Sequence, residues 1–147
     1  MAKEQIFTMD TSGIKFGNGS TEEVGYEAKR FGIKKALVLT DKNIERLNVF
    51  QVVKESLAKY GVNFSVYNDV VTEPTDTSFK KASSFASEGD YDGFIAIGGG
   101  SVMDTAKAAN LYSTYPADFL DYVNAPIGKG VPIPGPLKPL ICVPTTA

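Results

Sequence analysis

The sequence predicts an α/β protein with a mostly parallel, Rossmann-like sheet, helices on both faces and an N-terminal β-hairpin. Short apolar runs alternate along the chain with longer segments whose apolar residues recur at helical spacing, which is typical of strands joined by crossover helices. The glycine run at 98–100 joins one such strand to one such helix. Glycines at that point let an anion approach the backbone amides of the helix start closely.

The chain opens with two short alternating stretches, residues 5–9 and 13–16, joined by a polar segment. Alternation of this kind predicts the two strands of the hairpin. The sequence Ser20-Thr21-Glu22-Glu23 then has the form of a capping box and predicts a helix that ends near Phe31 and Gly32.

The sheet is predicted from four apolar runs. Three are continuous, as expected for strands buried on both faces, and they cover residues 35–40, 91–97 and 139–143. The fourth, residues 62–67, alternates and predicts a strand with one less buried face.

Helices are expected between these strands. Periodic apolar residues and stop signals predict them over residues 43–60 with a break near Asn48, over residues 77–87, and directly after the glycine run. One or two helical turns are expected in 117–123, and the Pro- and Gly-rich segment 124–138 predicts an ordered loop.

Composition limits the function classes. With 147 residues, the chain is expected to form one domain, residues 1–147. A net charge of −2 gives no basic surface for nucleic acid, and no apolar run is long enough to span a membrane. The N-terminus has no signal-peptide pattern, and the single cysteine fits a reducing compartment, so a cytoplasmic protein is expected. The absence of histidine removes the usual general base and metal ligand.

Polar groups follow three of the predicted strands. They are Asp41, the turn Gly98-Gly99-Gly100-Ser101, and Thr145-Thr146. Because ligands of parallel α/β sheets bind beyond the carboxyl ends of the strands, these residues predict one shared nucleotide site.

The glycine turn departs from the dinucleotide fingerprint G-x-G-x-x-G, since Met103 stands where the third glycine belongs. It is interpreted as a phosphate cradle, with a tight structural turn as the alternative. Ser101 is a natural helix N-cap. Asp104 would repel a diphosphate, so it caps the helix, pairs with Lys107 or contacts another part of the ligand.

Asp41 has two interpretations: a cap for the helix that follows, or an acceptor for the ribose hydroxyls. In the second role its charge would disfavour a 2′-phosphate, so NAD is favoured over NADP. Thr145 and Thr146 either bind ribose or adenine through their hydroxyls or simply end a strand. Cys142 alternates within an apolar strand and is expected to be inert core.

The stretch Gly98-Gly99-Gly100-Ser101-Val102-Met103-Asp104-Thr105-Ala106-Lys107, followed by Val143-Pro144-Thr145-Thr146-Ala147, resembles the N-terminal domain of iron-containing alcohol dehydrogenases. Residues 118–130 and 136–141 resemble more narrowly the hydroxyacid–oxoacid transhydrogenase branch of that family.

This resemblance implies a two-domain enzyme in which residues 1–147 bind NAD(P). The glycine turn would contact the pyrophosphate, Asp41 the adenosine ribose, Thr145 and Thr146 the adenine-side half, and Asp104 the nicotinamide end. A helical C-terminal domain, expected to be absent from this chain, would hold a divalent metal, usually iron. Hydride would move between the nicotinamide and a small alcohol, aldehyde or hydroxyacid in a homo-oligomeric full-length enzyme.

The sequence departs from the family pattern at two points. It lacks histidine for the metal site, so the chain alone is expected to be catalytically incompetent, and Glu73-Pro74 replaces the Asn-Pro of many relatives. Two alternatives remain open: a non-catalytic nucleotide-binding module, and an NAD-using lyase of the dehydroquinate synthase type.

Overall fold

A computed structural model describes residues 11–146 as strands alternating with helices. The strands are β1 (Lys35–Leu39), β2 (Asn63–Tyr67), β3 (Gly93–Gly98) and β4 (Leu140–Pro144). The helices are α1 (Val24–Arg30), α2 (Asn48–Lys59), α3 (Asp76–Ser87) and α4 (Gly100–Thr114). Short 3₁₀ turns cover Ser20–Glu23, Ile44–Arg46 and Phe119–Asp121.

The four strands form one parallel sheet in the order β2-β1-β3-β4. From β1 the chain crosses outward to β2, returns to β3 on the other side of β1, and continues to β4. The direction of winding therefore reverses between β1 and β3, which places a ligand-binding crevice at the carboxyl ends of these two strands. The predicted parallel α/β fold is confirmed.

Helices cover both faces of the sheet, as predicted. Strand β1 shows how the faces divide, because Leu37 and Leu39 pack into one hydrophobic cluster and Ala36 and Val38 into the other. The first cluster includes the buried alanines of α3 and α4, and the second includes the buried residues of α1 and α2: Val24, Ala28, Phe50, Val53 and Leu57. All four residues of β1 named here are fully buried.

Helices α1 and α2 meet at backbone distance. A Cβ on Gly25 would lie 2.1 Å from the carbonyl oxygen of Ser56, so no side chain fits at this position. The Gly25 amide donates to Ser56 Oγ at 2.8 Å, and Ser56 Oγ donates to the Glu22 carbonyl at 2.6 Å. One buried hydroxyl thus joins the two helices where they are closest.

The start of the first helix differs from the sequence expectation. Residues 20–23 form a 3₁₀ turn preceded by Gly19, with no side-chain cap, so the capping box predicted there is wrong. A true capping box stands instead at α3, where the Thr75 side chain accepts from the Ser78 amide. The predicted break in the second helix is found at Leu47, which is extended and separates a 3₁₀ turn from α2.

The described residues include only the second strand of the predicted hairpin. Residues 13–16 have irregular conformation, so the second strand predicted there is not formed. Residues 5–9, the hairpin's first strand, lie outside the described residues.

The loop between α4 and β4 is ordered, as the sequence predicted. Tyrosine hydroxyls bind its backbone: Tyr112 donates to the Phe119 carbonyl at 2.5 Å, and Tyr115 donates to the Pro136 carbonyl at 2.9 Å. The buried Asn110 side chain donates to the Lys138 carbonyl at 2.7 Å, just before β4. Across residues 11–146, none of the helices combines the length and the apolar character needed to cross a membrane.

Candidate nucleotide-binding site

A cavity of about 270 Å³ lies at the carboxyl ends of the strands. Its lining combines the segments that follow all four of them: Asp41, Ile44, Val70, Val71, Thr72, Gly99, Gly100, Ser101, Val102, Thr145 and Thr146. Six of the eight residues predicted from sequence are therefore brought together. Gly98 is next to the lining, and Asp104 is outside it.

The glycine turn presents the start of α4 to this cavity. The amides of Val102 and Met103 both donate hydrogen bonds to the Gly99 carbonyl, each at 3.1 Å. The amides of Gly100 and Ser101 precede this first intrahelical bond, and such amides remain available to an anion. The partial positive charge of a helix N-terminus adds attraction for a phosphate.

Steric limits in the turn differ from one glycine to the next. Gly98 has φ of +156°, and a Cβ there would lie 2.5 Å from Val102 Cγ2. A Cβ on Gly99 would lie 3.0 Å from Thr146 Oγ1, whereas one on Gly100 would meet no atom within 4 Å. Gly98 therefore packs against the first turn of α4, and Gly100 faces open space at the cavity.

Of the two roles that the sequence left open for Asp41, the structure shows the capping one. Its Oδ1 accepts from the amides of Asn43 at 2.8 Å and Ile44 at 3.0 Å, so it caps the 3₁₀ turn that follows β1. Both bonds fall on the same oxygen. Because Asp41 also lines the cavity, its second oxygen can accept a hydrogen bond from a ligand.

Asp69 lies beside Asp41, and the two backbones form an isolated antiparallel bridge. Its carboxylate pairs with Lys42 at 3.3 Å and with Lys81. Hydrogen bonds from Lys81 and then Lys42 lower the pKa of Asp69, and the same contact raises the pKa of Lys81. The single Asp69 carboxylate therefore offsets part of the charge of these two lysines.

Two predicted residues of α4 do not hold the expected positions. The N-cap is Gly99, so the assignment of Ser101 as N-cap is wrong; Ser101 Oγ instead accepts a long bond of 3.4 Å from the Glu73 amide. The Asp104 side chain is 62% exposed and pairs with Lys107 at 3.2 Å, one turn away from the cavity. Of its three sequence interpretations, the ion pair with Lys107 is the one observed.

Cys142 is exposed on β4, so its assignment to the core is wrong. Strand β4 lies at the edge of the sheet, and its five residues are partly buried or exposed. The apolar run identified the strand correctly, but it could not show how much of the strand's outer face is covered.

The segment after β2 also lines the cavity, although it was not among the residues predicted for the site. Val70, Val71 and Thr72 line the cavity together with the glycine turn. The same rule that selected Asp41 and Thr145, position at the carboxyl end of a parallel strand, applies to them. Two of these three residues are apolar, and apolar residues in a loop carry no chemical signal of a binding site.

The parallel doubly wound sheet, with its cavity at the point where the winding reverses, is the architecture of dehydrogenase-type α/β domains. The chain belongs to the iron-containing alcohol dehydrogenase family, whose family model matches residues 11–147. This family is one of oxidoreductases.

Curated relatives in animals are similar over nearly the whole chain. Mitochondrial hydroxyacid-oxoacid transhydrogenase of Bos taurus is 56% identical over 145 residues, and that of Homo sapiens is 54% identical over 145 residues. Each match covers 98% of this chain and 31% of the relative. The chain therefore spans about a third of the length of these proteins.

Solved structures give the same result for the fold. NADH-dependent butanol dehydrogenase A of Thermotoga maritima superposes with a TM-score of 0.87 at 28% identity, over 98% of this chain and 35% of that one. The alcohol dehydrogenase of Oenococcus oeni gives a TM-score of 0.78 at 34% identity, over 90% and 34% of the two chains.

The expectation of a cytoplasmic protein is wrong, because these curated relatives are named as mitochondrial. Composition could not have distinguished the two locations. A near-neutral chain with one cysteine fits any reducing compartment.

The family name implies iron, and the described residues do not fit it. Among residues 11–146, no group of three or more His, Cys, Asp or Glu side chains could hold a metal ion. The whole sequence lacks histidine. No catalytic step is therefore assigned to a metal on these residues.

Proposed function

We propose that residues 1–147 form the NAD(P)-binding domain of a metal-dependent dehydrogenase that acts on alcohols or hydroxyacids. The observation that carries this proposal is the cavity at the carboxyl ends of β1 and β3, where the first amides of α4 are available to an anion. The family match and the dehydrogenase fold of the solved relatives support it.

Each of the eight residues predicted from the sequence has a role in this proposal, six of them in the cavity lining and two, Gly98 and Asp104, beyond it. The backbone of Gly98–Ser101 binds the pyrophosphate, and the free oxygen of Asp41 accepts from the adenosine ribose. The hydroxyls of Thr145 and Thr146 contact the adenine-side half of the cofactor, and Asp104 lies toward the nicotinamide end. The bound cofactor would supply hydride chemistry, while these residues bind and orient it.

The remaining parts of the active site would come from the rest of the enzyme. The described residues hold no metal-ligand set, and the chain spans about a third of its curated relatives. Iron ligands and the pocket for a small alcohol, aldehyde or hydroxyacid are therefore assigned to the other part of a homo-oligomeric full-length protein. On its own, the 147-residue chain is expected to turn over no substrate.

Calorimetric titration of the 147-residue chain with NADH tests the proposal. Saturable binding is expected, together with no alcohol oxidation in the presence of NAD and ferrous iron. Absence of NADH binding by the folded chain would contradict the proposal. Tight ADP binding that the nicotinamide half does not improve would favour the non-catalytic nucleotide module.

Asp41 is expected to set the preference for NADH over NADPH. Its carboxylate would repel a 2′-phosphate on the ribose, by about 1 kcal/mol or more at contact distance, so NADH should bind roughly tenfold more tightly. Asp41→Asn retains Oδ1 as the acceptor for both backbone amides and removes the charge, which should bring the two dissociation constants close together.

The matched control is Glu55→Gln, which removes one exposed carboxylate from α2 and should leave the NADH to NADPH ratio unchanged. Titration of all three proteins with both cofactors gives the comparison. An Asp41→Asn chain that keeps the wild-type ratio would show that the preference has another origin.

A further inference from the structure

A fully buried hydroxyl lies directly behind the glycine turn. Thr40 follows the last residue of β1 and has 0% of its surface exposed. Its amide donates to the Tyr67 carbonyl at 3.0 Å, and its Oγ1 donates to the Ile97 carbonyl at 2.9 Å. The side chain therefore connects β1 to β3 at the residue before Gly98.

This bond continues the sheet beyond its backbone ladder. The pairing of β1 with β3 ends at Leu39 and Ala96, so the carbonyl of Ile97 lies past the last paired residues. Ile97 is fully buried, and its carbonyl has no access to bulk water. The Thr40 hydroxyl supplies the hydrogen bond that a buried carbonyl requires.

The carbonyl of the next residue, Gly98, accepts a hydrogen bond from the β4 side of β3. The Thr145 amide, at the end of β4, donates to the Gly98 carbonyl at 3.1 Å. The carbonyls of Ile97 and Gly98, at the entry to the glycine turn, are thus held by a side chain from β1 and by the backbone after β4, respectively. Together they determine where the following amides of Gly100 and Ser101 stand.

We propose that Thr40 is a positioning residue for the phosphate cradle, and that its hydroxyl sets the affinity of the glycine turn for a diphosphate. This inference rests on the proposed cofactor-binding function. Valine at this position would keep the shape of threonine and remove the donor. The buried Ile97 carbonyl would then lose its partner, and the peptide would have to rotate to recover one, which displaces the turn.

The test compares dissociation constants for AMP and ADP, measured by calorimetry on the 147-residue chain. The dissociation constant for AMP divided by that for ADP reports the contribution of the second phosphate. An unfolded fraction of a variant changes both constants by the same factor, so it leaves this ratio unchanged. Thr40→Val is expected to lower this ratio by about five- to tenfold, as for loss of one well-placed hydrogen-bonding interaction. Thr40→Ser, which keeps the hydroxyl, should restore it.

Thr105→Val is the matched control. Thr105 is also buried, and its Oγ1 donates to the Ser101 carbonyl at 2.7 Å. That carbonyl also accepts the regular amide bond of the helix, so removal of this hydroxyl leaves no orphaned acceptor. The AMP to ADP ratio of this variant should match that of the wild type.

The outcomes separate the inference from the function on which it rests. A wild-type chain that binds ADP no better than AMP would contradict the phosphate cradle itself. A wild-type chain that prefers ADP, with the same preference in Thr40→Val, would overturn the role of Thr40 alone. If Thr40→Val fails to fold while Thr40→Ser folds, the hydroxyl serves stability only, and the proposal is overturned.

Discussion

Replacement of Gly25 by alanine is expected to destabilise the fold by about 3 kcal/mol or more, a large share of the stability of a domain of this size. The added Cβ would lie 2.1 Å from the Ser56 carbonyl oxygen and 2.5 Å from its carbonyl carbon. These are backbone atoms of α2, so no side-chain rotation can relieve the overlap. Helix α1 would have to move, which also lengthens the bond from its amide to Ser56 Oγ.

Urea unfolding followed by circular dichroism measures this effect. Gly100→Ala is the control within a helix, since a Cβ there meets nothing within 4 Å and alanine favours helix. The control should unfold at the wild-type urea concentration or slightly above it. Similar midpoints for Gly25→Ala and the wild type would mean that α1 and α2 do not meet at backbone distance.

The second large effect is expected from Gly100→Ala itself, on binding. Its methyl group would occupy the open space at the cavity where a phosphate has to approach the first amides of α4. We expect NADH affinity to fall by about 30-fold or more, equivalent to about 2 kcal/mol, with no loss of stability. Loss of binding without loss of stability is typical of a position reserved for a ligand.

Calorimetric titration with NADH checks this prediction. Gly13→Ala is the comparison, because Gly13 lies in the irregular N-terminal segment and its added Cβ also meets nothing within 4 Å. Its affinity should equal that of the wild type. Unchanged NADH affinity in Gly100→Ala would place the phosphates elsewhere.

Much of the fold could be predicted because local signals and tertiary packing agree. The run Lys35–Leu39 was recognisable as a buried strand from continuous apolar residues, and Leu37 and Val38 are indeed fully buried on opposite faces. Position at the carboxyl end of such strands then identified Asp41, the glycine turn, Thr145 and Thr146 as neighbours, and the cavity brings them together.

What could not be predicted depends on contacts between distant residues. The capping sequence at Ser20 lies in a 3₁₀ turn, and the Glu22 carbonyl of that turn accepts from Ser56 Oγ of α2, a contact that no local pattern shows. The exposure of Cys142 depends on which strand stands at the edge of the sheet. Thr40 gave no sequence signal, since a threonine at a strand end is common and only the partner at Ile97 makes it significant.

The position of β4 affects how the purified chain should be handled. Within residues 11–146 its only strand partner is β3, so its outer side presents backbone donors and acceptors to solvent. A free sheet border of this kind can recruit a strand from another molecule. Samples should therefore form aggregates at high concentration, and a reducing agent is advisable because the Cys142 thiol is exposed on the same strand.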